Sequence, residues 1–152
     1  MLFVLPPIHA RENVPFMIRA LKTLRVVQWS MLGSILVYAV VGEWMGPGRR
    51  TVDPSLTYLF TTLGVATLGI IFVVRRTLVM RAAEGLATHP ENIHSLNHWR
   101  TGYLATYVLC ESLALIGLVL RFLGYNLRQS LPYYLGSFAL LIFFRPRQPA
   151  GD

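Results

Sequence analysis

Charge is scarce in this chain. Only 14% of its 152 residues are Asp, Glu, Lys or Arg, against about a quarter in ordinary soluble domains, whereas 54% are hydrophobic. Among the charged residues, the acidic ones are fewer, with seven Asp and Glu against fourteen Lys and Arg. This composition is far from that of a soluble domain and favours a chain whose surface faces lipid.

Motifs of common active sites are also lacking. The single cysteine, Cys110, excludes an intramolecular disulfide. The sequence contains no phosphate-binding glycine loop, nucleophile elbow or metalloprotease helix. The opening residues, MLFVLPPIHA, have no basic segment and contain two prolines, so we expect no cleaved signal peptide. The sequence therefore predicts neither an enzyme nor a cofactor.

The apolar residues occur in long blocks. One block, LTYLFTTLGVATLGIIFVV, has no charge and matches the roughly 20 residues that a helix needs to cross about 30 Å of hydrocarbon. The last block, Leu131 to Phe144, has about 14 residues, a length that also fits a re-entrant or interfacial segment. It crosses if the helix starts near Asn126 and Arg128 extends to the interface, and Pro132 is tolerated if Ser130 caps the helix and the proline falls in the first turn. We predict a single all-α membrane domain, a four-helix up-down-up-down bundle with spans at about 26–44, 56–74, 101–120 and 128–144.

The basic residues flank these predicted spans. Ten of the fourteen lie before the first, between the second and third, or after the fourth: Arg11, Arg19, Lys22, Arg25, Arg75, Arg76, Arg81, Arg100, Arg145 and Arg147. The positive-inside rule then places both termini and the central loop in the cytoplasm, in a plasma (inner) membrane. We expect this charge to meet the lipid bilayer and not nucleic acid.

The segment between the second and third predicted spans is rich in helix formers and breaks at THP, residues 88–90. Both helices are therefore expected to extend beyond the bilayer as a protruding cytoplasmic hairpin, about 18 Å long for twelve residues per arm. Such a hairpin suits docking to other membrane proteins or to further copies of the chain. Its candidate docking residues are Arg81, Glu84, His89 and Glu91.

Two histidines of the same segment share a helix face. His94 and His98 are four residues apart, and Glu91 lies three residues before His94. This spacing makes them weak candidates for a divalent metal site. Solvated or phosphate-contacting interfacial side chains are the expected alternative, so no metal is predicted.

Glu111 interrupts the apolar run LATYVLCESLALIGLVLRFLG. It lies about 16 Å from either edge of the predicted third span, where an acid costs roughly 2.5 to 3.5 kcal/mol. Such an acid should be protonated, paired or directed into a polar cavity. Arg121 lies about 15 Å further along the helix and is out of reach. The partners we predict are Tyr107 on the same helix or a Thr, Ser or Tyr of a neighbouring helix, for instance Thr61, Thr62 or Thr67.

The sequences RAAEGLATHPE and ESLALIGLVLRFLG resemble the polar loop and outer helix of the c subunit (proteolipid) of rotary ATP synthases. This resemblance implies that Glu111 carries an ion and that His89, Pro90 and Glu91 contact the rotor. The chain differs by an additional helix on each side and by Arg121 after the acid. Small multidrug transporters are also similar in having four spans and a buried acid, although theirs lies in the first span.

Three functions are compatible with these observations, and the least supported is a membrane enzyme that acts on lipid-like substrates through the cytoplasmic histidines. The first is a non-enzymatic accessory or structural subunit of a membrane complex, in which Glu111 holds helices together. The alternative is an oligomeric proton or cation carrier in which Glu111 takes up and releases the ion.

Overall fold

The computed structural model of the chain describes residues 8–46, 53–88 and 93–146. All regular secondary structure in these ranges is helical, which confirms the predicted all-α class. The elements are α1 (Ile8–Met45), α2 (Pro54–Val74), a π-helical segment (Arg75–Met80), α3 (Arg81–Thr88), α4 (Ile93–Phe122) and α5 (Leu127–Phe143).

Three helical stretches are long and apolar enough to cross a membrane. They are Ile18–Met45, Pro54–Leu86 and His94–Phe122, with 28, 33 and 29 residues. Each exceeds the roughly 20 residues that a crossing requires and contains one of the first three predicted spans. These stretches fit a membrane-embedded protein. Helix α5 overlaps the fourth predicted span and has 17 residues, about the lower limit for a crossing.

Helices α2 and α5 begin at side-chain caps. The Asp53 carboxylate accepts a hydrogen bond from the Ser55 backbone N–H at 2.9 Å, and Pro54 occupies the first turn of α2. Asn126 caps α5 in a reciprocal capping box with Gln129. The helix starts where the sequence predicts, near Asn126, but the predicted cap at Ser130 is wrong, because Asn126 is the capping residue. Pro132 lies inside α5 instead of in its first turn.

Gly124 reverses the chain between α4 and α5. Its φ is 92°, a left-handed conformation that residues with a side chain rarely adopt. The Gly124 N–H bonds to the Arg121 carbonyl and the Tyr125 N–H bonds to the Leu120 carbonyl, each at 3.1 Å. This is the Schellman arrangement, which satisfies the last carbonyls of α4 and directs α5 back along it.

Helix α4 lies at the centre of the fold. It contacts α1, α2, the π-helical segment, α3 and α5. Its most buried side chains are aromatic, aliphatic or small: Trp99, Tyr103, Thr106, Tyr107, Cys110, Leu113, Ala114 and Leu120. Helix α2, by comparison, leaves many large apolar side chains exposed.

The π-helical segment packs closely on α4 at Gly102. A Cβ atom on Gly102 would lie 2.8 Å from Cγ2 of Val79 and 3.2 Å from the Val79 backbone nitrogen. A glycine is thus required for the two helices to approach this closely. One turn nearer the start of α4, Trp99 is 1% exposed and extends the same interface.

Candidate functional site

Glu111 forms a hydrogen bond to α1. The Tyr38 hydroxyl donates to Oε1 of Glu111 at 2.8 Å, and both side chains are partly buried. Tyr38 belongs to the first membrane-compatible stretch and Glu111 to the third. The bond therefore joins two helices that are both apolar enough to span a membrane.

The buried face of α1 brings Tyr38 to this position. Residues of that face recur every three or four positions, the spacing of one side of a helix: Leu21, Leu24, Gln28, Leu32 and Ile35. Tyr38 is three residues beyond Ile35 and continues the face. Ile35 is 2% exposed, so packing holds this part of α1 firmly, and the Tyr38 phenol reaches past it to α4.

The partners predicted for Glu111 make other contacts. The Tyr107 hydroxyl is fully buried and donates to the Phe144 carbonyl at 3.4 Å. Thr62 lies on an exposed part of α2. The remaining two threonines donate to carbonyls of their own helix, Thr61 to Thr57 and Thr67 to Leu63, each at 2.8 Å. The structure thus does not bring Tyr107 or Thr62 to Glu111.

The position of Tyr38 within its predicted span could have identified it as a partner of Glu111. It lies twelve residues after the start of the predicted span 26–44, and Glu111 lies ten residues after the start of the span 101–120. Both spans were predicted to cross in the same direction, so similar residue depth means similar membrane depth. Tyr38 belongs to the predicted class of partner, a Thr, Ser or Tyr of a neighbouring helix, but the example residues were threonines of the second span.

Arg121 pairs with a different acid. Its Nη2 lies 2.8 Å from Oε1 of Glu43, near the end of α1. Its Nη1 donates to the Tyr125 carbonyl at 2.6 Å, in the turn after α4. The guanidinium thereby fixes the end of α1 to the α4–α5 turn. This ion pair and the Tyr38–Glu111 bond connect the same two helices.

Two further polar contacts attach α5. The buried Gln28 amide donates from Nε2 to the Leu141 carbonyl at 2.6 Å, joining α1 to α5. The Ser137 hydroxyl donates to the carbonyl of Cys110, joining α5 to α4. Both donors are buried side chains that bond to backbone carbonyls, so they satisfy their polar atoms while they fix the packing of α5.

Arg75 contacts the end of α5. Its guanidinium carbon lies 4.0 Å from the centre of the Phe144 ring, a cation–π contact. Phe144 is 1% exposed and also accepts the Tyr107 hydrogen bond through its carbonyl. The start of the π-helical segment, α4 and the end of α5 therefore meet at one residue.

His94 and His98 lie side by side on α4. Their ring centres are 4.4 Å apart. They line a cleft of about 310 Å³ together with residues of the π-helical segment and α3, including Arg81. Across the described ranges no group of three His, Cys, Asp or Glu side chains could hold a metal ion. Glu91, the third weak metal candidate, lies outside the described residues.

The predicted docking residues are only partly covered by the structure. Arg81 and Glu84 are exposed on α3, whereas His89 and Glu91 lie outside the described residues. Helix α3 packs on the start of α4, because a Cβ atom on Gly85 would lie 3.2 Å from the Ser95 hydroxyl oxygen. The two arms on either side of residues 89–92 are therefore in contact.

No family model, curated protein or solved structure matches the chain. The resemblance to the c subunit of rotary ATP synthases stays a prediction. Three polar features of the described residues bear on function. They are a hydroxyl–carboxyl bond between α1 and α4, an ion pair at the ends of these two helices, and a cleft lined by Arg81, His94 and His98 near the start of α4.

Proposed function

We propose that the chain is a non-enzymatic accessory or structural subunit of a membrane complex. The observation that carries this proposal is the bond between Tyr38 and Glu111 within one chain. An acid that holds two helices of its own protomer is occupied by a packing contact. Hydrogen bonds of this kind between membrane helices contribute about 0.6 kcal/mol on average and up to about 1.7 kcal/mol.

The proposed architecture is an up-down-up-down bundle of four spans, with both termini and the α3–α4 hairpin in the cytoplasm. The contacts that support it come in two sets. Tyr38–Glu111 and Glu43–Arg121 advance together along α1 and α4, as expected for helices that run the same way. In the second set, the start of one helix contacts the end of another, as expected for α2 and α5 running in the direction opposite to α1 and α4. The pairs of this set are Gln28–Leu141, Thr57–Tyr125 and Val79–Gly102.

The surface available to partners is the outer face of α2. Its exposed residues are large and apolar, including Tyr58 at 76%, Val65 at 64% and Val73 at 61% exposure. Lipid covers such a face as well as a protein does, so exposure alone does not distinguish them. A subunit that binds other membrane proteins requires a face of this kind. Helix α2 belongs to Pro54–Leu86, the least buried of the three membrane-compatible stretches, with 17% of its apolar window buried.

Native electrophoresis of the chain extracted from its own membrane in mild detergent tests this proposal. We expect a species well above the 17.2 kDa of one chain. The substitution Val65→Trp on α2 should release the chain from that species. The matched substitution Val37→Trp, at a 57% exposed site on α1, should not. A wild-type chain that migrates as a monomer would contradict the accessory role. Co-expressing two differently tagged copies separates a homo-oligomer from a complex with other proteins.

The carrier function is the second candidate, and the partial exposure of the Tyr38–Glu111 pair favours it. A carboxyl group that is not sealed by its own chain can exchange an ion with a neighbouring subunit. Labelling by a hydrophobic carbodiimide between about pH 6 and 8 would detect a protonated, accessible acid in the hydrocarbon. Proton flux into proteoliposomes that is present in the wild type and lost in Glu111→Gln would support the carrier. Equal flux in both, with the complex retained, would support the accessory subunit.

A further inference from the structure

The cleft between the π-helical segment, α3 and α4 is lined by one arginine and two histidines. Arg81 belongs to α3 and His94 and His98 belong to α4, and Thr77 and Ser95 also line the cleft. We call it the basic cleft. Its volume is about 310 Å³, large enough for a phosphate group with part of the molecule that bears it.

The donors in the basic cleft suit an anion. No carboxylate is among the described residues that line it. The Thr77 hydroxyl already donates to the Val73 carbonyl at 2.8 Å. The Arg81 guanidinium and the His98 imidazole supply further N–H donors in the lining. An arginine guanidinium presents a planar pair of N–H donors that matches two phosphate oxygens. His94 and His98, whose ring centres are 4.4 Å apart and whose ring planes are tilted by 54°, add ring nitrogens on the α4 wall.

The depth of the basic cleft matches the phosphate layer of a bilayer. Arg76 and Arg100 mark the ends of the apolar runs on α2 and α4. At 1.5 Å per residue, the lining residues lie about 2 to 9 Å beyond these arginines. The polar headgroup layer is about 5 to 8 Å thick on each side of the hydrocarbon. A lipid phosphate therefore lies at the level of the cleft without leaving the bilayer.

We propose that the basic cleft binds the phosphate group of an anionic phospholipid. The apolar residues that complete its lining, Leu78 and Ala82, contact the glycerol and the beginning of the acyl chains. Arg76 and Arg100 are exposed beside it and add to the attraction for an anion. This inference rests on the membrane orientation proposed above and is independent of whether the chain is an accessory subunit or a carrier.

Native mass spectrometry of the full chain tests the inference. The protein is purified in a neutral detergent with equal amounts of phosphatidylglycerol and phosphatidylcholine, and the retained lipid is counted. We expect the wild type to retain one phosphatidylglycerol. The substitution Arg81→Gln should lower retention about fivefold, the effect of removing one basic residue near an anionic surface. The pair His94→Gln and His98→Gln should lower it further.

Arg145→Gln is the matched control, because Arg145 is an exposed arginine that follows α5, outside the cleft. Retention should be unchanged in this variant. Equal losses in Arg145→Gln and Arg81→Gln would overturn the proposal, since they would indicate general surface attraction. Arg81→Lys keeps the charge without the planar donor pair and should retain an intermediate amount of lipid. Far-UV circular dichroism verifies that each variant is folded.

A second arm distinguishes a lipid from free phosphate. Inorganic phosphate is added at millimolar concentration to the lipid-loaded protein, and the retained phosphatidylglycerol is measured again. We expect no displacement, because the lipid is also held by its glycerol and chains. Displacement by inorganic phosphate, together with binding of the free ion that is lost in Arg81→Gln, would overturn the lipid assignment and identify a site for soluble phosphate.

Discussion

Helices α2 and α4 are both long and apolar, yet they place their surfaces differently. In their most apolar windows, 44% of the residues of α4 are buried but only 17% of those of the stretch that includes α2. Thr61 and Thr67 of α2 hydrogen-bond to their own helix, whereas Tyr107 and Glu111 of α4 bond to α5 and α1. Apolar content alone thus predicts only that both helices are compatible with a membrane. The large polar side chains of α4, which bond to neighbouring helices, indicate that α4 lies at the centre.

The largest expected effect comes from overpacking α4. Leucine at Gly102 would overlap Val79, whose Cγ2 lies 2.8 Å from the site of a Cβ atom. We expect Gly102→Leu to lower the free energy of unfolding by about 1 to 3 kcal/mol. The control is Gly69→Leu on α2, where nothing lies within 4 Å, and it should have little effect. Unfolding in mixed micelles followed by far-UV circular dichroism measures both. Equal losses would show that α2 is packed as closely as α4.

A smaller effect is expected from removing one hydroxyl. Tyr38→Phe deletes the donor to Glu111 and changes little else, so unfolding should become easier by about 0.6 to 1.7 kcal/mol. Tyr58→Phe on α2, where the side chain is 76% exposed, provides the matched control and should leave stability unchanged. The same micelle unfolding assay applies. A loss in Tyr58→Phe as large as that in Tyr38→Phe would contradict the central position of α4.

The ion pair at the ends of α1 and α4 should contribute less. The Glu43 side chain is 44% exposed and that of Arg121 is 13% exposed. For a pair with one exposed partner we expect Glu43→Gln to cost about 0.5 kcal/mol. The cost should decrease as salt is added, because ions screen exposed charges. Measurements at low and high salt test this, and a cost that does not depend on salt would indicate a pair that water does not reach.

The smallest effect is expected at Thr62. Its side chain lies on the exposed face of α2, so Thr62→Val should change the free energy of unfolding by less than about 0.5 kcal/mol. A loss comparable to that of Tyr38→Phe would mean that Thr62 faces the bundle and approaches Glu111, as the sequence alone had suggested. Thr62→Val therefore tests the placement of α2 relative to α4.

Much of the fold could be predicted because it depends on block composition. Apolar runs located three membrane-compatible helices. The start of α5 near Asn126 was also predicted, but its cap was not: Pro132 was expected in the first turn after a cap at Ser130, whereas a capping box at Asn126 holds the helix with the proline inside it. The preference of proline for the first turn of a helix was outweighed by the capping box between Asn126 and Gln129.

The candidate site was half predicted. Glu111 is identifiable from sequence, since an acid within an apolar run needs a partner. The partner is not, because the choice between α1, α2 and the acid's own helix depends on which face of α4 meets which neighbour. Tertiary packing decides that: the Tyr107 hydroxyl bonds to Phe144, and Tyr38 remains within reach of the acid. The cleft at Arg81 likewise requires the approach of α3 to α4, which no single segment encodes.

A double-mutant cycle between Tyr38→Phe and Glu111→Ala tests the central claim most directly. The claim is that Glu111 holds α4 to α1 through the Tyr38 hydroxyl. If so, the two substitutions should be non-additive in the free energy of unfolding, with a coupling of about 0.6 to 1.7 kcal/mol. Ser112→Ala replaces Glu111→Ala in the control cycle, because the Ser112 hydroxyl bonds to its own helix at Val108; that cycle should be additive. Additive effects in the Tyr38–Glu111 cycle would contradict the account.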